Sequence, residues 1–167
     1  MGSVKVILFG ATGMVGQGVL RECLRDAGVE SVLVVGRSVV GVSHPKLREV
    51  VRADLMDLGG LESELSGYDA CFFCLGVSSA GMKEDAYRKV TYDLTLEAAR
   101  SLGRWNPGLT FCYVSGQGTD DSGRGRVMWA RVKGETENAL LALDGVEAYM
   151  FRPGLIQPLH GIRSKTR

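Results

Sequence analysis

Six stretches rich in β-branched and other apolar residues recur along the chain: 4–9 (VKVILF), 31–36 (SVLVVG), 47–51 (LREVV), 69–76 (DACFFCLG), 109–115 (LTFCYVS) and 146–153 (VEAYMFRP). Several are nearly unbroken apolar runs, the pattern of strands covered on both faces, as in a parallel sheet. Between them the period changes to that of helices. In MVGQGVLRECLRDAG, Val15, Val19, Leu20 and Cys23 fall on one side, and Gly28 reads as the stop. DAYRKVTYDLTLEAARSLG brings Val90, Leu94 and Ala98 to one face. RVMWARVKGETENALLALDG does the same with Val132, Thr136 and Leu140, and MDLGGLESELSG has room only for a short helix. Strands alternating with helices require crossover connections, so the pattern predicts an α/β fold: a doubly wound parallel sheet in three α/β/α layers.

A chain of 167 residues fits one domain, 1–167, and shows no linker, repeat or low-complexity tract. With 20 Lys+Arg against 19 Asp+Glu the net charge is +1, so no global field draws it to nucleic acid or to an anionic membrane. Any anion site must be local. The basic tail HGIRSKTR reads as a solvated end. No apolar run is long enough to cross a bilayer, and MGSVKV lacks the features of a signal peptide, which leads us to expect a cytoplasmic protein. Cys23, Cys71, Cys74 and Cys112 lie in apolar segments and form no disulfide framework. Within a strand, Cys71 and Cys74 of CFFC would point to opposite faces and could not share a metal. His44 and His160 stand too far from other ligands to suggest a metal either.

The chemistry begins at GATGMVGQG, residues 10–18, between the first strand and the first helix. Glycines at such a junction let the backbone turn sharply and a phosphate come close. In a Rossmann-type fold Gly10 makes the turn, Gly13 admits the pyrophosphate, and Gly16 lets helix and strand pack together. Thr12 adds a hydroxyl, and Met14 and Val15 open the helix whose free N–H groups face the anion. After the second strand the chain reads GRS, so Arg37 and Ser38 stand where an acid would hold the ribose of NAD. A guanidinium there matches a 2′-phosphate, which favours NADP over NAD. Asp54 and Leu55, after the third strand, are expected beside the adenine, and Leu75 and Gly76, after the fourth, along the cofactor path.

GATGMVGQ, the GR after the second strand, YVSGQGTD, VKGETE and FRPG together resemble the atypical or extended short-chain dehydrogenase/reductase superfamily. The likeness is to its small NAD(P)H-binding members of the NmrA-like and Tat-interacting-protein type, over nearly the whole chain. It implies hydride transfer between nicotinamide and a small carbonyl or alcohol, with a Ser, a Tyr and a Lys four residues after the Tyr. Ser115 matches the serine and Lys133 the lysine, which also holds the nicotinamide ribose. At the tyrosine position stands Trp129, and indole cannot exchange a proton near neutral pH. Thr91 stands near the place of an assisting asparagine, and Tyr87, Tyr92 and Tyr113 are the candidates for a substitute acid. The family continues past RPGLI with a further helix and strand on the substrate side, which this chain is expected to lack.

Three functions are consistent with these residues. The first is an NADP-dependent oxidoreductase; the second is a catalytically silent redox sensor or regulator, favoured by Trp129; the third is a relative of nucleotide-sugar epimerases. Pro153 is expected near the cofactor, with Arg152 beside it in a structural role. The loop DDSGRGR, 120–126, is a candidate lid. A small-molecule substrate and a homodimer are the expected partners.

Overall fold

The computed structural model describes residues 2–164. Its strands are β1 (Val4–Phe9), β2 (Val29–Gly36), β3 (Leu47–Val51), β4 (Ala70–Phe73), β5 (Leu109–Val114) and β6 (Val146–Phe151). They form one sheet in the order β3-β2-β1-β4-β5-β6, with every neighbouring pair parallel. This is the doubly wound arrangement, with the chain reversing direction across the sheet between β1 and β4.

The near-continuous apolar runs are explained by two cores. Side chains alternate across a strand, so Val6 and Leu8 join Val32 and Val34 against α1 (Met14–Arg25). Ile7, Phe9, Leu33 and Val35 point the other way, into a larger cluster under α4 (Leu94–Trp105) and α5 (Met128–Leu141). Phe73 stands at its centre, with ring centroids 5.3 Å from Phe9 and 5.7 Å from Phe111. Each such buried side chain contributes about 1.5–3 kcal/mol.

Helix α1 stops at Arg25, before the expected Gly28, because Asp26 turns extended and its carboxylate accepts from the Gly28 N–H at 2.7 Å. The short helix in the 56–67 segment is α2 (Glu62–Leu65). Beyond it the chain forms α3 (Glu84–Arg88), a π-helical turn (Lys89–Asp93) and then α4. That turn corrects one expectation: Val90 is exposed, and the buried face runs through Tyr87, Thr91, Thr95, Ala98 and Leu102. A π turn holds one residue more than an α turn, so it rotates the apolar stripe relative to an unbroken 3.6-residue period. On α5, Val132, Thr136 and Leu140 are buried as their spacing predicts.

Candidate functional site

All the loops that the sequence singles out leave the same edge of the sheet, at the C-terminal ends of the parallel strands, where open α/β sheets bind ligands. The glycine loop fills the gap between β1 and β4. Gly10 has φ +80°, and a Cβ there would lie 2.6 Å from the carbonyl carbon and oxygen of Cys74. At Gly16 a Cβ would lie 2.0 Å from the Gly10 carbonyl oxygen. Helix α1 is thus pressed against the turn that opens it. Its N-cap, Gly13, provides no side-chain hydrogen bond, which leaves the first-turn N–H groups at Met14 and Val15 free of a protein cap.

Beside this loop, Thr12 and Ser38 line a hollow of about 570 Å³ that also receives Arg21, Arg25 and His44. The Thr12 carbonyl accepts from Gln17 Nε2 at 3.1 Å, which fixes the loop to the helix. Arg37 is exposed directly after β2 and engages no acceptor among the described residues. Asp54 is exposed and accepts from the Met56 N–H at 2.9 Å. The Leu55 side chain is buried in the core with Leu58, Leu61 and Leu65, so it is not presented to a ligand and only its backbone could border an adenine. Leu75 is partly buried against the same core, and Gly76 is exposed beside it.

The second half of the site is a hollow of about 550 Å³ at the ends of β5 and β6, lined by Tyr87, Ser115, Gln117, Trp129, Lys133 and Pro153 among others. Lys133 Nζ donates to the Ser115 main-chain oxygen at 2.6 Å. Burial lowers the Lys133 pKa, with the Glu137 carboxylate opposing the shift. The indole of Trp129 lies over the Gly116–Gly118 turn. Ser115 itself is only 6% exposed, and its hydroxyl donates to Glu137 Oε1 at 2.5 Å. A hydroxyl has one proton. That of Ser115 is therefore held by a carboxylate and not offered to the hollow.

Glu137, 2% exposed, is the residue that sequence reasoning missed. It stands one turn beyond Lys133 and accepts from Arg152, whose Nε lies 3.1 Å from both of its oxygens. Arg152 also reaches Asp121 at 3.2 Å. A Glu four residues after a Lys normally reads as a solvent-facing helix pair. Only the arginine beyond β6, fifteen residues away, could have signalled burial. Gln117, two residues after Ser115 and exposed in the hollow, was likewise not singled out.

The 120–126 loop, the candidate lid, is held by its own hydrogen bonds and by α5. Asp120 takes the Ser122 hydroxyl at 2.6 Å and the Gly125 N–H at 2.6 Å, which hold its carboxyl below the usual carboxylate range. Arg131 and Asn138 of α5 donate to the carbonyls of Gly125 and Asp121, so both ends of the loop are tied to the helix.

The cysteines face apart as expected: Cys71 lies in the α4–α5 core, and Cys74 packs on the α1 side. Burial pushes the Cys74 thiol up to about 12, with Cys112 and Cys23 adding to the effect. No group of His, Cys, Asp and Glu among the described residues could hold a metal ion. Iodoacetamide at pH 8 is expected to leave the folded protein unmodified and to label all four cysteines in guanidinium, read by intact mass.

No protein-family model matches the chain. Among curated proteins it is 30% identical over 151 residues to the mitochondrial protein fmp52-2 of Aspergillus oryzae, covering 89% of this chain and 66% of that one. It is 27% identical over 158 residues to HTATIP2 of Rattus norvegicus, covering 93% of this chain and 64% of the relative. The chain is similar in sequence to these relatives and shares its fold with structures of the short-chain dehydrogenase/reductase type. A short-chain dehydrogenase from Burkholderia cenocepacia, solved with NADP, shares the fold at TM-score 0.73 and 16% identity, covering 95% of this chain and 75% of that one. Two further structures of this fold, WbmF of Bordetella bronchiseptica and a dTDP-glucose 4,6-dehydratase of Streptomyces venezuelae, hold NAD. The chain therefore has a Rossmann-type fold, and spans less than two thirds of the length of the curated relatives named above. The expected cytoplasmic location does not stand, because the fungal relatives are named as mitochondrial proteins.

Proposed function

We propose that this protein binds NADP(H) along the edge formed by Gly10, Arg37 and Lys133, and serves as an oxidoreductase for a small carbonyl or alcohol. The observation that carries the reading is the glycine loop. Its backbone approaches so closely that two Cβ positions are forbidden, and the uncapped first turn of α1 faces the space left over. That arrangement suits a pyrophosphate, whose charge the free N–H groups and the helix dipole favour.

Arg37, an uncommitted cation after β2, suits the 2′-phosphate of NADP. Lys133 has one N–H on the Ser115 carbonyl and two left for the ribose hydroxyls of the nicotinamide half. The bound dinucleotide supplies or accepts a hydride. The chain's own residues orient it, with Ser115 and Glu137 fixing the floor on which Lys133 stands. The names of the fungal relatives support a mitochondrial location. A second reading, a silent dinucleotide sensor, is favoured by Trp129 and by the capture of the Ser115 proton.

Calorimetric titration tests the cofactor. NADPH is expected to bind more tightly than NADH, and Arg37→Ala to weaken NADPH by about 10- to 100-fold while leaving NADH unchanged, in line with about 1.5–3 kcal/mol for a charge-assisted hydrogen bond. Equal loss for both dinucleotides would remove Arg37 from the 2′-phosphate site.

A further inference from the structure

We propose that Tyr87 is the proton donor of this site, in place of the tyrosine that Trp129 displaces; this rests on the dinucleotide-dependent reading above. Of the three tyrosines near the site, the structure separates one. Tyr113 is buried in the core beside Phe73, with ring centroids 6.4 Å apart, and its hydroxyl is engaged by Thr136. Tyr92 lies under the guanidinium of Arg88, whose Cζ is 4.4 Å from the tyrosine ring centroid, and is not among the residues lining the 550 Å³ hollow. Tyr87 alone lines the 550 Å³ hollow with Ser115, Trp129 and Lys133.

Its position follows from the helix. Tyr87, 2% exposed, lies on the buried face of α3, which packs against α5 just before the π-helical turn at Lys89–Asp93. Thr91, one turn on, shares a hydrogen bond with its hydroxyl. The other ionisable groups close to this arrangement are Lys133 on α5 and Tyr113 on β5. Among the other groups lining the hollow, the Ser115 hydroxyl is held by Glu137, indole does not exchange, the Gln117 amide does not titrate, the Ser78 and Ser79 hydroxyls are far weaker acids than a phenol, and Lys133 already donates to the Ser115 carbonyl. Burial raises the Tyr87 pKa, so the phenol stays protonated and able to donate at neutral pH.

In the reductive direction Tyr87 would pass its proton to the carbonyl oxygen, its O–H bond breaking, while a bound dinucleotide would supply the hydride that forms the C–H bond and would itself be oxidised; the product would be an alcohol, and the phenolate would recover a proton from water.

The test needs no substrate. The full chain is labelled with [ζ-¹³C]tyrosine, and Tyr87→Phe identifies the Tyr87 signal among those of the five tyrosines. Adding saturating NADP⁺, whose nicotinamide is positively charged, is expected to move that signal at pH 8 and to lower its titration midpoint by about one pH unit, a tenfold gain in acidity. NADPH, with an uncharged nicotinamide, is expected to give a smaller shift. A Tyr87 signal that does not respond, while calorimetry shows NADP⁺ bound, overturns the assignment and leaves the cofactor reading intact. Failure of NADP⁺ to bind overturns both.

Discussion

Gly16→Ala is expected to abolish dinucleotide binding and to lower stability by about 3 kcal/mol, the upper end of the usual cost of overpacking. The added methyl would sit 2.0 Å from the Gly10 carbonyl oxygen, 2.6 Å from its carbonyl carbon and 2.9 Å from Ala11 Cα. All three are backbone atoms, so no side chain can swing aside. Relief requires α1 to move away from the turn, and that separates the first-turn N–H groups from the loop they complete. Calorimetry with NADPH should show a loss of at least about 100-fold, equivalent to roughly 2.7 kcal/mol. Urea unfolding should show the stability change. Gly18→Ala is the control, because its methyl would meet only Ile162 Cδ1 at 3.9 Å. There the gain in helix propensity, up to about 1 kcal/mol, should leave stability unchanged or higher. Wild-type affinity in Gly16→Ala would refute the close packing of loop and helix.

Arg152→Met should destabilise the fold by about 3 kcal/mol at pH 8, the lower end of the cost of breaking a buried pair, because the guanidinium itself is 41% exposed. What the change leaves behind is Glu137, a carboxylate with 3% side-chain exposure and one remaining donor, the Ser115 hydroxyl. Adding Glu137→Leu should recover most of the loss at pH 8, since it removes the stranded charge. Urea unfolding of the single and double variants at pH 8 checks both. A double variant no more stable than Arg152→Met would show that Arg152 acts through packing alone.

Much of the fold was legible because a parallel sheet requires it. The runs at 4–9 and 47–51 match β1 and β3 residue for residue, and the glycine loop sits where a strand gives way to a helix. Less legible were features with no local signal. The π turn at Lys89–Asp93 arises from packing against α5, so the 3.6-residue period pointed to Val90 when the buried residues were Tyr87 and Thr91. Leu55 looked like a loop residue near a ligand, yet its apolar side chain found the core. The site was read as a serine and a lysine, whereas the structure adds the carboxylate between serine and arginine. That carboxylate comes from α5 and the arginine from the end of β6, so their meeting is a property of the tertiary fold.

The sheet order also governs how the chain reaches its native state. No two neighbouring strands form a hairpin, since every pairing is parallel and needs a crossover. The central β1–β4 pair joins Val6 to Ala70 and Phe9 to Phe73, so a long loop must close before either half of the sheet can lean on the other. Such non-local contacts place folding in the slow range for domains of this size. Until that closure, the apolar faces of β1 and β4 stay open to other chains, and refolding yield should fall as protein concentration rises.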